Sequence, residues 1–575
     1  MVTIDELTKL DRSKFTKAAD AWSKVSNRAS TAMGRVEGEM LATLRGTQKG
    51  DAATSALQNL TRLSKNYQYI HAECGLIRTA LSGLAEELEG PQNKLKQALK
   101  DAADLKFTVN PDGSVKYPTT EAPKVPFVQQ PARAGGLPLM AKSDPNQAKA
   151  QDIADRIATA LQDANDIDGR YAKALKKLNT NGKLDQTDFS DVAQDLKDVQ
   201  SAARKYSSEL KDRKGKSPKE NFDWWNKQSQ EKKEELIAAF PDQIGNLDGI
   251  PSVVRDRANR DYLPMLMAKL DGEGDDESKT KLEGLRGIDE KLKKGSVPPM
   301  FLLGIGDKGE GRAIVAYGNP DTSRNVSVYV PGLGTKLNKD FADGGLNRAF
   351  YTADGARTYD KSTASIVWLG YDAPQSADVM GKGRAEAGAP AYQSFLQGTR
   401  ATNENPNAHV TAIGHSYGSL TLGTATQRSG GLPVDDIVLV GSPGTGVDKA
   451  EDLGVGKDHV YVGAAQNDLV TWLPSKRNAS DLTFGGLPQL VGRYAADTIL
   501  GRDDDNLWFG RDPADKGFGA HRFKVADGPV PLLDGEGLTP AHSNYFNPKK
   551  DKQSADNIAA VVAGRPDLIV SEKPR

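Results

Sequence analysis

Seven short apolar runs between residues 300 and 465 constrain the fold of this chain more than any other feature. They are MFLLGI (300–305), RAIVAYG (312–318), VSVYVPG (326–332), ASIVWLG (364–370), VTAIG (410–414), DIVLVGS (436–442) and HVYVGAA (459–465). Most of them contain or meet a glycine and are followed by sequence that is compatible with a helix. Buried strands that alternate with helices are typical of a mostly parallel sheet with both faces covered. The sequence therefore predicts an α/β domain in the second half of the chain.

The first 215 residues have a helical period instead. From Leu60 to Leu88 the apolar residues recur at alternating steps of three and four, which is the period of a coiled-coil seam. A similar stripe runs from Phe15 to Met40, and the glycine-containing turn RGTQKGD (45–51) separates the two. These stripes predict two antiparallel helices, with the single cysteine, Cys74, as a small core residue.

Breaks in these patterns divide the chain into four parts. A Pro-rich stretch follows the first helices, a second pair of helical stripes comes after it, and the charged run RKGKSPKE (213–220) precedes the strands. We predict a coiled helical hairpin at 1–105, a linker at 106–148 with a small hairpin at Asp112-Gly113, a second helical hairpin at 149–215, and the α/β domain at 220–575.

Charge, apolar content and cysteine count exclude several classes of partner and site. There are 76 Lys and Arg against 77 Asp and Glu, a formal net charge of -1, so no global field favours nucleic acid or an anionic membrane. The sequence contains no apolar run long enough to span a bilayer and no ordinary signal peptide, which predicts a cytoplasmic protein by default. One cysteine excludes an intramolecular disulfide, and the acidic run at 503–505 lacks the spacing of a calcium loop. We expect neither a metal nor a cofactor.

One serine stands in a setting that favours catalysis. The pentapeptide Gly414-His415-Ser416-Tyr417-Gly418 follows the strand-like HVTAI and precedes SLTLGTATQRS, which can begin a helix. A glycine-rich chain produces such a match by chance, but the order of strand, turn and helix is what a nucleophile elbow requires. The glycines allow a strained turn and a close approach of strand and helix. Ser416 is therefore our candidate nucleophile.

A serine nucleophile needs a histidine base and a carboxylate that orients the base. The first carboxylate after the last of the seven apolar runs is Asp468, which we predict to be the acid. Of six histidines, only His521 and His542 follow it in the chain. His542 precedes the apolar helix ADNIAAVVAG, where the base belongs, so we favour His542 and interpret His521 as a packing or rim residue.

Two backbone N–H groups would have to stabilise the oxyanion. We predict that Tyr417, next to the nucleophile, supplies one of them. The second is predicted in VYVPGLGT (328–335), at Leu333 or else Gly334, because glycines there leave N–H groups accessible. The long segment at 475–541 is a candidate lid, with apolar residues that suit an acyl chain. Those residues are Leu487, Leu490, Leu500, Trp508 and Phe509.

Several motifs together resemble an actinobacterial α/β-hydrolase family long classed as a domain of unknown function. They are the Trp-Trp segment at 224–263 with its GNLDGIP, then VSVYVPGLGT, GHSYGS, VGSPG and HSNYF. The resemblance covers about residues 220–565. It implies an α/β-hydrolase fold and a triad of Ser416, Asp468 and His542, but it implies no particular substrate. The Trp-Trp segment either caps the site or clasps helices against the sheet.

The N-terminal hairpin resembles the WXG-type substrates of type VII secretion, with Gln48 where their turn carries tryptophan. The resemblance implies type VII-dependent export, and the alternative is a helical bundle for self-association or for docking a protein partner. For the whole chain we predict a serine hydrolase acting on a small or lipid-like acyl substrate. The alternative is an inactive hydrolase-fold scaffold whose N-terminal helices bind a partner or act as a secretion signal.

Overall fold

The computed structural model describes residues 1–118, 144–178, 188–473, 505–530 and 541–575. The chain forms two compact units. The first, here called the helical unit, comprises Met1–Val36, Thr54–Thr187 and Gln194–Glu209, and the second, the sheet unit, comprises Glu37–Ala53, Asp188–Ala193 and Leu210–Arg575. The four domain boundaries derived from the sequence stay a prediction.

Helices dominate the N-terminal part of the chain. They are α1 (Ile4–Lys9), α2 (Ser13–Arg35), α3 (Ala42–Thr47), α4 (Asp51–Glu87), α5 (Glu89–Asp104), α6 (Pro145–Lys177), α7 (Phe189–Ala202) and α8 (Arg204–Arg213). A π-helical stretch at Val36–Leu41 joins α2 to α3. The predicted turn at 45–51 overlaps the last residues of α3 and the first residue of α4, and Gly50 between these helices has a φ of 97°.

The core of the helical unit consists mainly of small and aliphatic side chains, with the buried rings of Tyr171 and Tyr206. Cys74 on α4 is buried, as predicted. Within the same unit, the Ser26 hydroxyl of α2 lies 2.8 Å from His71 Nδ1 of α4. The predicted small hairpin is confirmed, because strand β1 (Thr108–Val109) pairs antiparallel with β2 (Val115–Lys116) around Asp112-Gly113. The resemblance to WXG-type hairpins stays a prediction.

Among the described residues of the sheet unit, eight strands form one sheet. They are β3 (Met300–Gly306), β4 (Arg312–Tyr317), β5 (Asn325–Val330), β6 (Thr363–Leu369), β7 (His409–His415), β8 (Asp436–Val440), β9 (Val460–Gly463) and β12 (His521–Arg522), while β10 (Asn506–Leu507) and β11 (Gly510–Arg511) form a separate hairpin. The order across the sheet is β12-β9-β8-β7-β5-β6-β4-β3. All neighbours pair in parallel except β3 with β4 and β4 with β6. The mostly parallel sheet is confirmed.

Helices cover both faces of this sheet. The helices of the sheet unit after α8 are α9 (Pro218–Lys227), α10 (Gln230–Ala239), α11 (Pro241–Ile244), α12 (Ser252–Glu273), α13 (Asp276–Lys294), α14 (Leu346–Ala356), α15 (Gly383–Thr402), α16 (Tyr417–Thr426) and α17 (Lys552–Val562). One core lies between the sheet and α12, α13, α14 and α17, and a second lies between the sheet and α15 and α16. Burial on both faces explains why the strand sequences are continuously apolar.

The Trp-Trp segment packs against the first strand of the sheet. Trp225 is buried, and the Asn259 side chain donates hydrogen bonds to the carbonyls of Gly245 and Leu302. Arg255 likewise donates to the carbonyl of Leu303 on β3. Such contacts are expected if the segment holds helices against the sheet, which is one of the two alternatives given above. Across the described ranges, no helix is both long and apolar enough to cross a membrane.

Candidate active site

Ser416 occupies a sharp turn between the central strand β7 and helix α16. Its φ of 57° and ψ of -134° lie outside the regions that residues with a Cβ normally adopt. Its backbone N–H donates to the carbonyl of Val440 on the neighbouring strand at 3.1 Å, which ties the turn to the sheet. Strained conformations of this kind persist only where the surrounding structure holds them, and they concentrate at functional sites.

Glycines allow the backbone to close around this turn. A Cβ on Gly414 would lie 2.7 Å from the Ser419 Cα, so strand and helix touch there without any side chain between them. A Cβ on Gly332, in the loop after β5, would lie 2.9 Å from Ser416 Oγ and 2.8 Å from the Tyr417 nitrogen. The backbone at Gly332 therefore faces the serine hydroxyl and the first N–H of α16 directly.

Asp468 and His542 form a hydrogen-bonded pair at the end of the sheet where the Ser416 turn lies. Asp468 follows β9 and caps a short 3-10 helix (Leu469–Trp472), and His542 lies in a 3-10 turn (Ala541–Ser543) before α17. His542 Nδ1 is 3.0 and 2.9 Å from the two carboxylate oxygens of Asp468. Because an ionised carboxylate only accepts, Nδ1 carries a proton, and in the neutral imidazole Nε2 is therefore the acceptor.

Gly441 connects this pair to the serine turn. It follows Val440, the residue that binds the Ser416 N–H, and it has a φ of 55°. A Cβ at this position would lie 2.8 Å from Asp468 Oδ2 and 2.8 Å from His542 Nδ1. The carboxylate and the imidazole therefore pack directly against the strand end beside Ser416.

The Asp468 carboxylate is fully buried and accepts several hydrogen bonds. The Tyr545 hydroxyl donates to its Oδ2 at 2.6 Å, and the Val470 N–H donates to its Oδ1 at 3.0 Å. Burial alone would raise the pKa of Asp468, but His542 and these hydrogen bonds outweigh it and hold the pKa below its usual value. The carboxylate is therefore ionised at neutral pH and orients the imidazole.

The three predicted oxyanion residues differ in their hydrogen bonding. Tyr417 is the first residue of α16, and the first N–H groups of a helix have no partner within it. The Gly334 N–H donates to the Pro374 carbonyl at 2.8 Å, so it is already engaged. Leu333 lies between Gly332 and Gly334, with half of its surface exposed.

Comparison with known proteins agrees with this architecture. A sequence model described as Alpha/beta hydrolase matches residues 307–478. Uncharacterized protein Rv0963c of Mycobacterium tuberculosis is 36% identical over 221 residues, which is 37% of this chain and 80% of that protein. The chain belongs to this alpha/beta hydrolase family. Uncharacterized protein Rv2079 of the same species is 28% identical over 457 residues, covering 73% of this chain and 67% of the relative.

Other predicted residues of the sheet unit have partners other than Asp468. His521 begins the edge strand β12, where its Nε2 is 3.3 Å from Asp458 and its ring stacks on Tyr461. Asp505 forms an ion pair with Arg511. No group of three metal-ligating side chains is found in the parts of the chain that the structure describes.

Much of the predicted lid lies outside the described residues. This includes the apolar residues Leu487, Leu490 and Leu500, and the acidic residues Asp503 and Asp504. The described middle of the segment carries the hairpin of β10 and β11, and the edge strand β12. In it the Trp508 indole donates to the Met380 carbonyl at 2.9 Å, and the Phe509 ring packs edge-on against Tyr417.

Sequence reasoning assigned no role at this candidate site to Tyr545, Gly332 or Gly441. Tyr545 lies in the quoted motif HSNYF, but nothing in the pattern shows that its hydroxyl reaches Asp468. Gly332 and Gly441 lie in VPGLGT and VGSPG, and only the folded backbone shows what a Cβ there would meet. Glycine after a strand is a signal for a close approach, but it does not identify the partner.

Proposed function

We propose that this protein is a serine hydrolase that cleaves an ester or a related acyl bond, with Ser416 as the nucleophile, Asp468 as the acid and His542 as the base. The observation that carries the proposal is the pairing of His542 Nδ1 with both oxygens of the buried Asp468. The strained turn at Ser416 and its hydrogen bond to Val440 add support, because Val440 adjoins Gly441, on which the pair packs.

The proposed chemistry uses two atoms of this arrangement, Ser416 Oγ and His542 Nε2. The imidazole takes the hydroxyl proton on Nε2 while Oγ forms a bond to the substrate carbonyl carbon, and the carbonyl electron pair moves onto oxygen. The bond to the leaving group then breaks as His542 returns the proton to it, which leaves an acyl group on Ser416. A water molecule then gives a proton to His542 as its oxygen bonds to the acyl carbon. The bond from that carbon to Ser416 Oγ breaks, His542 returns the proton to Oγ, and the acid is released.

The developing oxyanion needs two N–H donors that are already in place. We assign one to Tyr417, whose backbone nitrogen faces Gly332 at the start of α16. We assign the second to Leu333 in preference to Gly334, because the Gly334 N–H donates to Pro374. The exposed Leu333 side chain also gives an acyl substrate an apolar contact beside the nucleophile.

Hydrolysis of p-nitrophenyl acetate, butyrate and octanoate tests the proposal. We expect the wild-type protein to release p-nitrophenol, with rates that rise with acyl length, and Ser416→Ala to lower kcat by at least about 10³-fold. Ser419→Ala is the matched control, since Ser419 is a buried serine one turn along the same helix. Turnover by a folded Ser416→Ala protein at the wild-type rate would contradict the assignment.

A further inference from the structure

His415, the residue before Ser416, contacts the backbone of the proposed base. Its Nε2 lies 2.8 Å from the carbonyl oxygen of His542. A carbonyl oxygen can only accept, so Nε2 carries a hydrogen and donates it. The two imidazole rings also pack against each other, with their centroids 4.5 Å apart. His415 therefore touches both the main chain and the ring of His542.

Arg348 on α14 holds the other nitrogen of His415. Its guanidinium lies 3.4 Å from His415 Nδ1, and since a guanidinium only donates, Nδ1 is the acceptor. Arg348 is itself anchored, because it donates to the Tyr329 hydroxyl and lies over the rings of Tyr329 and Phe546. These contacts select the tautomer of His415 whose proton is on Nε2, directed at His542.

The same surroundings keep His415 uncharged. Burial, together with the neighbouring His542 and Arg348, holds the pKa of His415 well below its usual value. A neutral neighbour matters because His542 becomes positive when it takes the proton of Ser416, and a second positive ring at 4.5 Å would oppose that step.

We propose that His415 is a positioning residue, which holds His542 so that its Nε2 faces Ser416; this inference rests on the proposed function. Asp468 fixes the imidazole through Nδ1, whereas His415 fixes the main chain from which the imidazole projects. Two attachments define the position of a ring better than one. A displacement of about 1 Å in a reacting group costs up to about 10²-fold in rate.

The test compares His415→Phe with His415→Gln in the full-length protein. The phenyl ring fills similar space but donates nothing, whereas the Gln amide can donate to the His542 carbonyl and accept from Arg348. The readout is the rate at which a fluorophosphonate labels Ser416, which requires no knowledge of the substrate. We expect labelling to be slowed by about 10- to 100-fold in His415→Phe and largely restored in His415→Gln. His521→Phe, at an exposed histidine of the same unit, should label at the wild-type rate.

Thermal unfolding establishes that each variant is folded. If His415→Phe does not fold, His415→Asn replaces it, because its shorter amide cannot span the same distance. Labelling of His415→Phe at the wild-type rate would overturn the positioning role, and so would a Gln variant no faster than the Phe or Asn variant. If folded wild-type protein is not labelled at all, the proposed function itself fails, so the two failures are distinguishable.

Discussion

Asp468→Asn is expected to lower the rate of ester hydrolysis by about 10⁴-fold while the protein stays folded. The substituted side chain has nearly the same shape, but its amide group presents N–H donors where the carboxylate accepted from His542 Nδ1. The imidazole would then place its proton on Nε2, and a protonated Nε2 cannot accept the proton of Ser416. The measurement is kcat on p-nitrophenyl butyrate at neutral pH.

A graded series strengthens this test. Tyr545→Phe removes only the hydroxyl that donates to Asp468, so we expect a loss well below that of Asp468→Asn. Asp321→Asn is the matched control, because the Asp321 carboxylate is also buried but accepts hydrogen bonds from Ser252 and Thr402. Asp321 precedes β5, whereas the candidate site lies beyond the other end of that strand. It should lower stability without lowering the kcat of the folded protein. Equal losses in Asp468→Asn and Asp321→Asn would contradict the specific role of Asp468.

Gly418→Ala is expected to destabilise the sheet unit by about 3 kcal/mol, because no space exists for the added methyl group. A Cβ at Gly418 would overlap the carbonyl oxygen of Val330, and the neighbouring Pro331 carbonyl would lie 3.0 Å away. Both are backbone atoms at the end of a central strand, so they cannot move aside as a flexible side chain would. The conflict must displace α16 from the sheet or unfold the elbow.

Chemical unfolding followed by tryptophan fluorescence measures this loss. Trp224, Trp225, Trp368, Trp472 and Trp508 all lie in the sheet unit, whereas Trp22 alone lies in the helical unit. The control is Gly344→Ala, since a Cβ on Gly344 would meet nothing within 4 Å. The explanation is wrong if both substitutions shift the transition equally.

The sheet could be predicted from sequence because its strands are buried on both faces. Each of the seven apolar runs contains one of the strands β3 to β9, or most of its residues. Strand β12 escaped prediction, since a two-residue edge strand has no pattern of its own. The chain order of serine, acid and histidine also predicted Asp468 and His542 as a pair, and the two side chains are in contact in the fold.

What the sequence could not provide is contact between distant segments. Arg348 lies on α14, 67 residues before His415, and no motif marks it. The hydroxyl of Tyr545 reaches Asp468 across 77 residues. The hydrogen bond from the Gly334 N–H to the Pro374 carbonyl joins the loop after β5 to the loop after β6. Side-chain roles of this kind follow from tertiary packing, which local sequence patterns do not contain.

The most direct measurement is to find where a fluorophosphonate binds covalently on the native protein. Trypsin releases Ser416 in a peptide that ends at Arg428 and also contains Ser419, so fragmentation of that peptide distinguishes the two serines. We predict a single adduct on Ser416, absent from Ser416→Ala and greatly slowed in His542→Ala. An adduct on another residue, or no adduct on folded protein at neutral pH, would contradict the account of Ser416 as an activated nucleophile.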